Sequence, residues 1–453
     1  VTALSIAVAG ATGFVGRALV DTLARTHDVV ALARRAPSLP GARGVALDVG
    51  DEAATAEALS GCAAAYYLVH SLEHHDFRDR DRDLAAAFGR AAARAGVGRV
   101  VYLGGLGRDP SSEHLVSRQE VGVALGAAGV PVVELRAAVV LGSGSISFEM
   151  LRYLTERLPF MVCPRWVHTA IQPIALRDAL RYLVGALDVA PGVYEIGGAD
   201  VTTYRDMIGA YAEVRGLRTR RVIDVPLLTP RLSSYWVDFV TPVDRHVSHA
   251  LIDSLATEVV VTDPGRTKRA FGFEPLGMHD ALRAALDDQA TAIDNDLLER
   301  AAGLADGVYT ERVSVGVAPA DAAAIDADLD RIGGDLRWYG LAAGWRARIA
   351  LGRLVGERWR RRRPRAVAPG EPVDWWVVVR RAPGALVLRG IDWFVGESWL
   401  GWRVEADELV EVGALRPKGL PGFVYWKTLQ PVHRWVFARL ARHRVERVLP
   451  PSP

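Results

Sequence analysis

The chain has 453 residues, 55 Lys plus Arg against 53 Asp plus Glu, a net charge of +2, and is half hydrophobic. That balance excludes a global field that would draw it onto nucleic acid or an acidic membrane, and the length implies roughly two to four domains with ample core. Its two cysteines, Cys62 and Cys163, form no disulfide framework and fit no metal-ligand spacing. They suit a reducing compartment, so a cytoplasmic location is expected. No stretch is long and apolar enough for a membrane span. The apolar start "VTALSIAVAG" has no basic leader and runs straight into a glycine motif, so it reads as a strand.

In chain order, "LSIAVAG", "DVVALAR", "GVALDV", "AAAYYLV", "RVVYLG" and "VVELRAAVVLG" read as strands, with Ala- and Arg-rich helices between them. This alternation predicts a parallel sheet covered on both faces. It loosens after about residue 145, where "YEIGG" and "RVIDVPLL" read as later strands. Composition shifts near residue 305, and ten of the twelve tryptophans stand at or after Trp338. "DWWVVVRR", "GALVLRGIDW", "SWLGWRVEAD" and "ELVEVGALRP" are bounded by Gly, Pro or Asp and predict an antiparallel sheet. The end places Val432, Trp435, Val436, Leu440 and Val448 on one helical face. The expected domains are 1–300 and 305–453, with a boundary between 290 and 315.

Gly10, Gly13 and Gly16 follow the first strand and open a helix. The first permits a tight turn, the second lets a pyrophosphate approach the backbone, and the third allows close helix–strand packing. Thr12, Phe14 and Val15 complete the loop, and the helix N-terminus offers N–H groups to phosphates. The second strand ends in Arg34 and Arg35 where an acid would bind the ribose of NAD. Arginine suits a 2′-phosphate, so NADP(H) is expected over NAD(H), with Arg34 foremost. The alternative is a solvated surface pair. Asp48 ends the third strand, either near the adenine or as turn chemistry. Val69 and His70 follow the fourth strand, whose end faces the ligand crevice. "HHDF", with His74 and His75, lacks further ligands at metal spacing, so no metal is expected.

"GATGFVG", "YYLVHSL", "RVVYLGGLG" and "VPVVELRAAVVLGSGS" resemble the atypical, NmrA-like branch of the short-chain dehydrogenase/reductases. "WYGLAAGW", "GEPVDWWVV", "SWLGWRV" and "RPKGLPGFVYWKTLQPVHRWVF" resemble a bacterial domain fused to that branch and thought to be START-like. The resemblance implies an α/β Rossmann-type domain followed by an α+β helix-grip domain, a curved antiparallel sheet around a long C-terminal helix. It implies nicotinamide binding and an apolar ligand cavity, but no substrate.

The resemblance also implies a Tyr-x-x-x-Lys pair on the helix after the fifth strand, with a Ser or Thr at that strand's end. Here His114 and Arg118 stand at the pair's spacing, and the strand ends Gly104–Gly105. A histidine titrates near neutrality, so His114 is read as the proton donor. Arg118 would bind the nicotinamide ribose without shuttling protons, and Ser117 is a further hydroxyl. The competing reading makes His114 a capping or packing residue. Phe148, Trp166, His168 and Trp393 are candidate substrate lining, against the alternative that they are ordinary core. "RWRRRRPR" (358–365) reads as a solvated loop.

These readings converge on an NADP(H)-dependent oxidoreductase for a small, largely apolar carbonyl, enone or quinone-like substrate, with a non-catalytic NADP(H) sensor as the alternative. The expected partners are that substrate and a second copy of the chain, without nucleic acid or stable membrane insertion.

Overall fold

The computed structural model describes residues 2–72, 74, 76–107, 112–225, 255–334, 342, 346, 349–350, 353, 366–390, 395–405 and 407–448. The chain divides into two compact units, 1–155 with 160–286 and 156–159 with 287–453.

The first unit opens β1 (Ser5–Ala9), α1 (Phe14–Leu23), β2 (Asp28–Ala33), β3 (Ala42–Ala46), α2 (Glu52–Leu59), β4 (Ala64–Tyr67), α3 (Phe77–Arg94), β5 (Val100–Gly105), α4 (Glu113–Gly126) and β6 (Val132–Ala137). Short strands β7 (Val140–Leu141), β8 (Phe160–Cys163), β9 (Ala170–Ile171) and β10 (Ile174–Ala175) follow, with α5 (Ile146–Arg157) between the first two. Then come α6 (Leu176–Gly185), β11 (Gly192–Ile196), β12 (Thr202–Thr203), α7 (Tyr204–Val214), β13 (Arg221–Asp224) and α8 (Pro264–Phe271).

The main sheet has seven parallel strands in the order β11-β6-β5-β4-β1-β2-β3. Its central strands are apolar throughout because helices cover both faces. Ile6, Val8, Tyr66 and Val101 pack with Leu19 and Val20 of α1 and Leu183 of α6. Ala7, Tyr67 and Tyr102 pack with Phe88 and Ala91 of α3 and Leu125 of α4. Strand order reverses between β1 and β4, which opens a crevice at their carboxyl ends. The run "VVELRAAVVLG", read as one strand, is two: β6 stops at Ala137 and β7 pairs instead with β10.

The second unit takes up α9 (Met278–Asp296) from its midpoint and contains β14 (Gly303–Ala305), β15 (Val308–Gly316), α10 (Ala322–Leu329), β16 (Pro372–Val373), β17 (Trp376–Ala382), β18 (Ala385–Gly390), β19 (Gly396–Val404), β20 (Glu408–Pro417) and α11 (Gly419–Val448). Its sheet is antiparallel, ordered β14-β15-β20-β19-β18-β17-β16. The division at Leu286/Asp287 precedes the expected boundary of 290–315. The composition shift marks the first strand of this sheet, but Ala290 and Ile293 of α9 already pack into its core with Val387 and Trp399.

One patterning expectation fails here. Val436, Leu440 and Val448 join the core of the second unit, but Val432 and Trp435 are 48% and 58% exposed. Asp374 sits in the β16–β17 turn at φ 51°, and its carboxylate accepts the Gly334 N–H at 3.1 Å. No helix among the described residues is long and apolar enough to cross a membrane. The arginine run 358–365 lies outside the described residues.

Candidate functional site

A cavity of about 460 Å³ opens at the carboxyl ends of β1, β4, β5 and β6. One end is the glycine turn. Gly10 adopts φ +82°, and a β-carbon there would stand 2.8 Å from the Leu68 carbonyl oxygen. A β-carbon at Gly16 would overlap the Gly10 carbonyl, so α1 crosses β1 at glycine distance. Gly13 keeps one side open, the nearest neighbour of a β-carbon being the Gly10 oxygen at 3.3 Å. The helix that follows has no side-chain cap and no acid in its first turn. Gly13, Phe14, Val15 and Gly16 all line the cavity, so the positive end of α1 faces it. Thr12 is exposed and lies outside the lining.

The turn is tied to β2. The Leu32 carbonyl accepts the Gly10 N–H at 3.2 Å and the Ala11 N–H at 3.3 Å. Arg34 and Arg35 follow two and three residues later, exposed and outside the cavity. Asp48 is also exposed, and one carboxylate oxygen accepts the Gly50 N–H at 2.9 Å, which is turn chemistry. Leu68 and His70 line the cavity, while Val69 packs against the core on the α3–α4 face.

The middle of the cavity is built by β5 and α4. Ser112 caps α4, its hydroxyl accepting the Leu115 N–H at 3.3 Å. His114, Leu115 and Arg118 then face the cavity. The Arg118 guanidinium donates to the Leu103 carbonyl and lies 5.2 Å from the Tyr102 ring centre. Tyr102 in turn donates its hydroxyl to the Arg118 carbonyl at 2.7 Å. Arg118 is thus clamped to the end of β5 at both its main chain and its side chain. The glycines where a hydroxyl was expected have structural causes. A β-carbon at Gly104 would stand 3.0 Å from a Glu134 carboxylate oxygen, and one at Gly105 would stand 3.1 Å from Leu115 and 3.2 Å from Arg118.

His114 departs from the sequence reading. Burial, the Arg118 charge and His70 push its ring down to about 3. Its Nδ1 is buried without a partner, so an imidazolium would carry an orphaned N–H there. The ring is neutral at neutral pH, and Nε2 is the nitrogen left to a ligand. His114 is therefore a neutral hydrogen-bonding group and not the ready imidazolium donor expected. Burial and Arg118 likewise push His70 down to about 4, although its side chain is open to the cavity. Ser117 is 1% exposed, outside the lining, with its hydroxyl unpartnered. One residue before Arg118 on a helix points elsewhere, so the cavity hydroxyl expected of it is absent.

Of the substrate candidates, Phe148 is fully buried core, edge-on to Tyr211 at 6.1 Å. Trp166 stands behind the wall, edge-on to Tyr204 at 5.8 Å, with its indole N–H buried and unpartnered. His168 is exposed and outside the lining. Trp393 lies outside the described residues. The far wall comes instead from Val139, Val140, Ser145, Ile146, Ser147, Tyr204, Leu255 and Val259. The phrase "VVLGSGS" signals part of it. Tyr204 and Val259 carry no local signal, because distant segments bring them in. Among the described lining residues there is no carboxylate, lysine or cysteine. No group of three metal-ligating side chains occurs among the described residues.

In the second unit, Trp399 and Trp402 are buried, and their indoles donate to Asp294 at 2.7 Å and Glu411 at 2.9 Å.

Residues 10–127 match the NAD(P)H-binding family, and residues 304–440 match a family described as Protein of unknown function (DUF2867). No curated protein matches the chain. Among solved structures, MoeE5 in complex with UDP-glucose and NAD is 18% identical, covering 64% of this chain and 99% of that one at a TM-score of 0.50. A nucleoside-diphosphate-sugar epimerase from Staphylococcus aureus is 14% identical, covering 62% and 99% at a TM-score of 0.50. At these identities the likeness is one of fold. The first unit contains an NAD(P)-binding Rossmann domain.

Proposed function

We propose that the chain is an NADP(H)-dependent oxidoreductase acting on a small, largely apolar carbonyl, enone or quinone-like substrate in the cytoplasm. The observation that carries this is the continuity of one cavity, from the glycine turn and uncapped helix α1 to the Arg118–His114 wall and the apolar far wall. Gly10, Gly13 and the first turn of α1 would hold the diphosphate, and Arg118 the nicotinamide ribose. Arg34, with Arg35 beside it, would take the 2′-phosphate. The bound nicotinamide supplies hydride transfer.

The chain's own residues orient and polarise. His114, neutral, offers Nε2–H to an oxygen that gains negative charge. Such a donor stabilises an oxyanion without being charged beforehand. Arg118, held by Leu103 and Tyr102, needs no reorganisation to keep its place. The apolar wall of Val139, Ile146, Leu255 and Val259 excludes water and strengthens both contacts. The second unit would bind or shield the apolar substrate. Its seven-stranded antiparallel sheet and 30-residue C-terminal helix are compatible with a START-like grip.

A second reading has its own support: the neutral His114 and the Gly104–Gly105 strand end favour a non-catalytic NADP(H) sensor. Titration with NADPH and NADP, followed by NADPH oxidation against carbonyls, enones and quinones, separates them. Substrate-dependent oxidation supports the enzyme. Tight, redox-selective binding without oxidation supports the sensor, since only differential affinity shifts a conformational equilibrium. No binding of either nucleotide overturns both.

A further inference from the structure

We infer that Tyr204 is the donor that recognises the ligand at the far wall of the cavity, and that it takes a neutral acceptor oxygen on an apolar body. This rests on reading the cavity as the substrate site. Three other tyrosines of the same unit engage their hydroxyls internally: Tyr66 donates to the Leu183 carbonyl at 2.9 Å, Tyr102 to Arg118 at 2.7 Å and Tyr194 to Ala190 at 2.9 Å. Tyr204 lines the cavity and has no hydrogen-bond partner among the described residues. Burial raises its phenol well above the usual range, with no charge among the described residues contributing. It is therefore a protonated donor.

The ring is held in place. Thr203 caps α7, its hydroxyl accepting the Asp206 N–H at 3.1 Å, which sets Tyr204 as the first helical residue. Thr202 and Thr203 pair antiparallel with Ile171 and Ala170 of β9. The same short strand and the residue after it bind Val259, whose N–H donates to the Ala170 carbonyl at 3.1 Å and whose carbonyl accepts the Gln172 N–H at 3.0 Å. One two-residue strand thus fixes both Tyr204 and Val259 on the cavity wall. Trp166 backs the ring edge-on at 87°.

The surroundings select the ligand's chemistry. Val139, Val140, Ile146, Leu255 and Val259 are apolar lining of this wall, and no acid lines the cavity among the described residues. An amine would find no acceptor acid. A carboxylate would be drawn to Arg118, whose guanidinium is bound at the end of β5. A ketone or quinone oxygen satisfies the phenol without a charge, and a site built to donate rejects an analogue lacking the acceptor.

The test uses the full chain saturated with NADP and two probes of one ring skeleton, 1-tetralone and tetralin, titrated by calorimetry. Tyr204→Phe removes an oxygen that has no internal partner among the described residues, so the fold is expected to be retained. The expected result is tetralone binding at least about tenfold weaker in Tyr204→Phe, with tetralin binding and NADP affinity unchanged. Equal tetralone affinity in both proteins overturns the assignment, as does tetralone binding no tighter than tetralin in the parent chain, including no binding of either. If the parent chain fails to bind NADP, the oxidoreductase reading fails separately. The two probes then judge Tyr204 without nucleotide.

Discussion

A β-carbon at Gly105 would stand 3.2 Å from the Arg118 β-carbon and 3.4 Å from its γ-carbon. The missing hydroxyl at the end of β5 and the arginine on α4 are therefore one packing arrangement. Gly105→Ser should push Arg118 off the strand end and weaken NADP(H) binding about tenfold. Arg118→Ala removes the γ-carbon and the cation, so the two changes should be non-additive by about 0.5–3 kcal/mol in a double-mutant cycle. Additive losses in nucleotide Kd count against the coupling.

Arg34 stands two residues beyond Leu32, whose carbonyl holds the glycine turn. Arg34→Glu should weaken NADPH binding tenfold or more, about 1.4 kcal/mol, and leave NADH binding within about twofold. Parallel titrations with the two nucleotides check this. Equal losses return Arg34 to a solvated surface role.

The depressed His114 ring makes stability depend on pH. Its folded value of about 3 lies below the unfolded value near 6.5. Between these the unfolded chain binds the extra proton, so stability falls as pH drops from about 6.5 toward 3. His114→Phe should flatten that loss by on the order of 1–2 kcal/mol at pH 5. Unfolding midpoints at pH 7 and pH 5 for parent and variant give the comparison, and identical slopes would show that His114 is not held neutral.

Glu411 in the second unit gives the opposite sign. It is fully buried, accepts the Trp402 indole N–H at 2.9 Å, and leaves its other oxygen without a partner. Burial raises it to about 8, against the pull of Arg444. The folded state then holds the proton while the unfolded state releases it, so stability is greatest below the unfolded value and falls as pH rises toward 8. Glu411→Gln should be close to neutral at pH 5 and gain on the parent at pH 8. Equal unfolding midpoints at pH 8 count against a protonated Glu411.

The first unit was legible because its signals are local. A glycine triplet between a strand and a helix, and apolar runs broken by helical stretches, are each set by residues close in sequence, and the sheet order β3-β2-β1-β4-β5-β6 follows from right-handed crossovers. The antiparallel character of the second sheet was legible for the same reason. Sequence spacing also placed His114 and Arg118 in one cavity. What spacing does not encode is the field each group experiences. The neutrality of His114, the seclusion of Ser117 and the core role of Phe148 come from burial and from charges brought near by other segments. Tyr204 escaped notice because a two-residue strand from elsewhere in the chain carries it to the cavity. Local pattern determined the Rossmann domain and its glycine turn. Long-range packing alone decided which side chains face the ligand and which of them carry a proton.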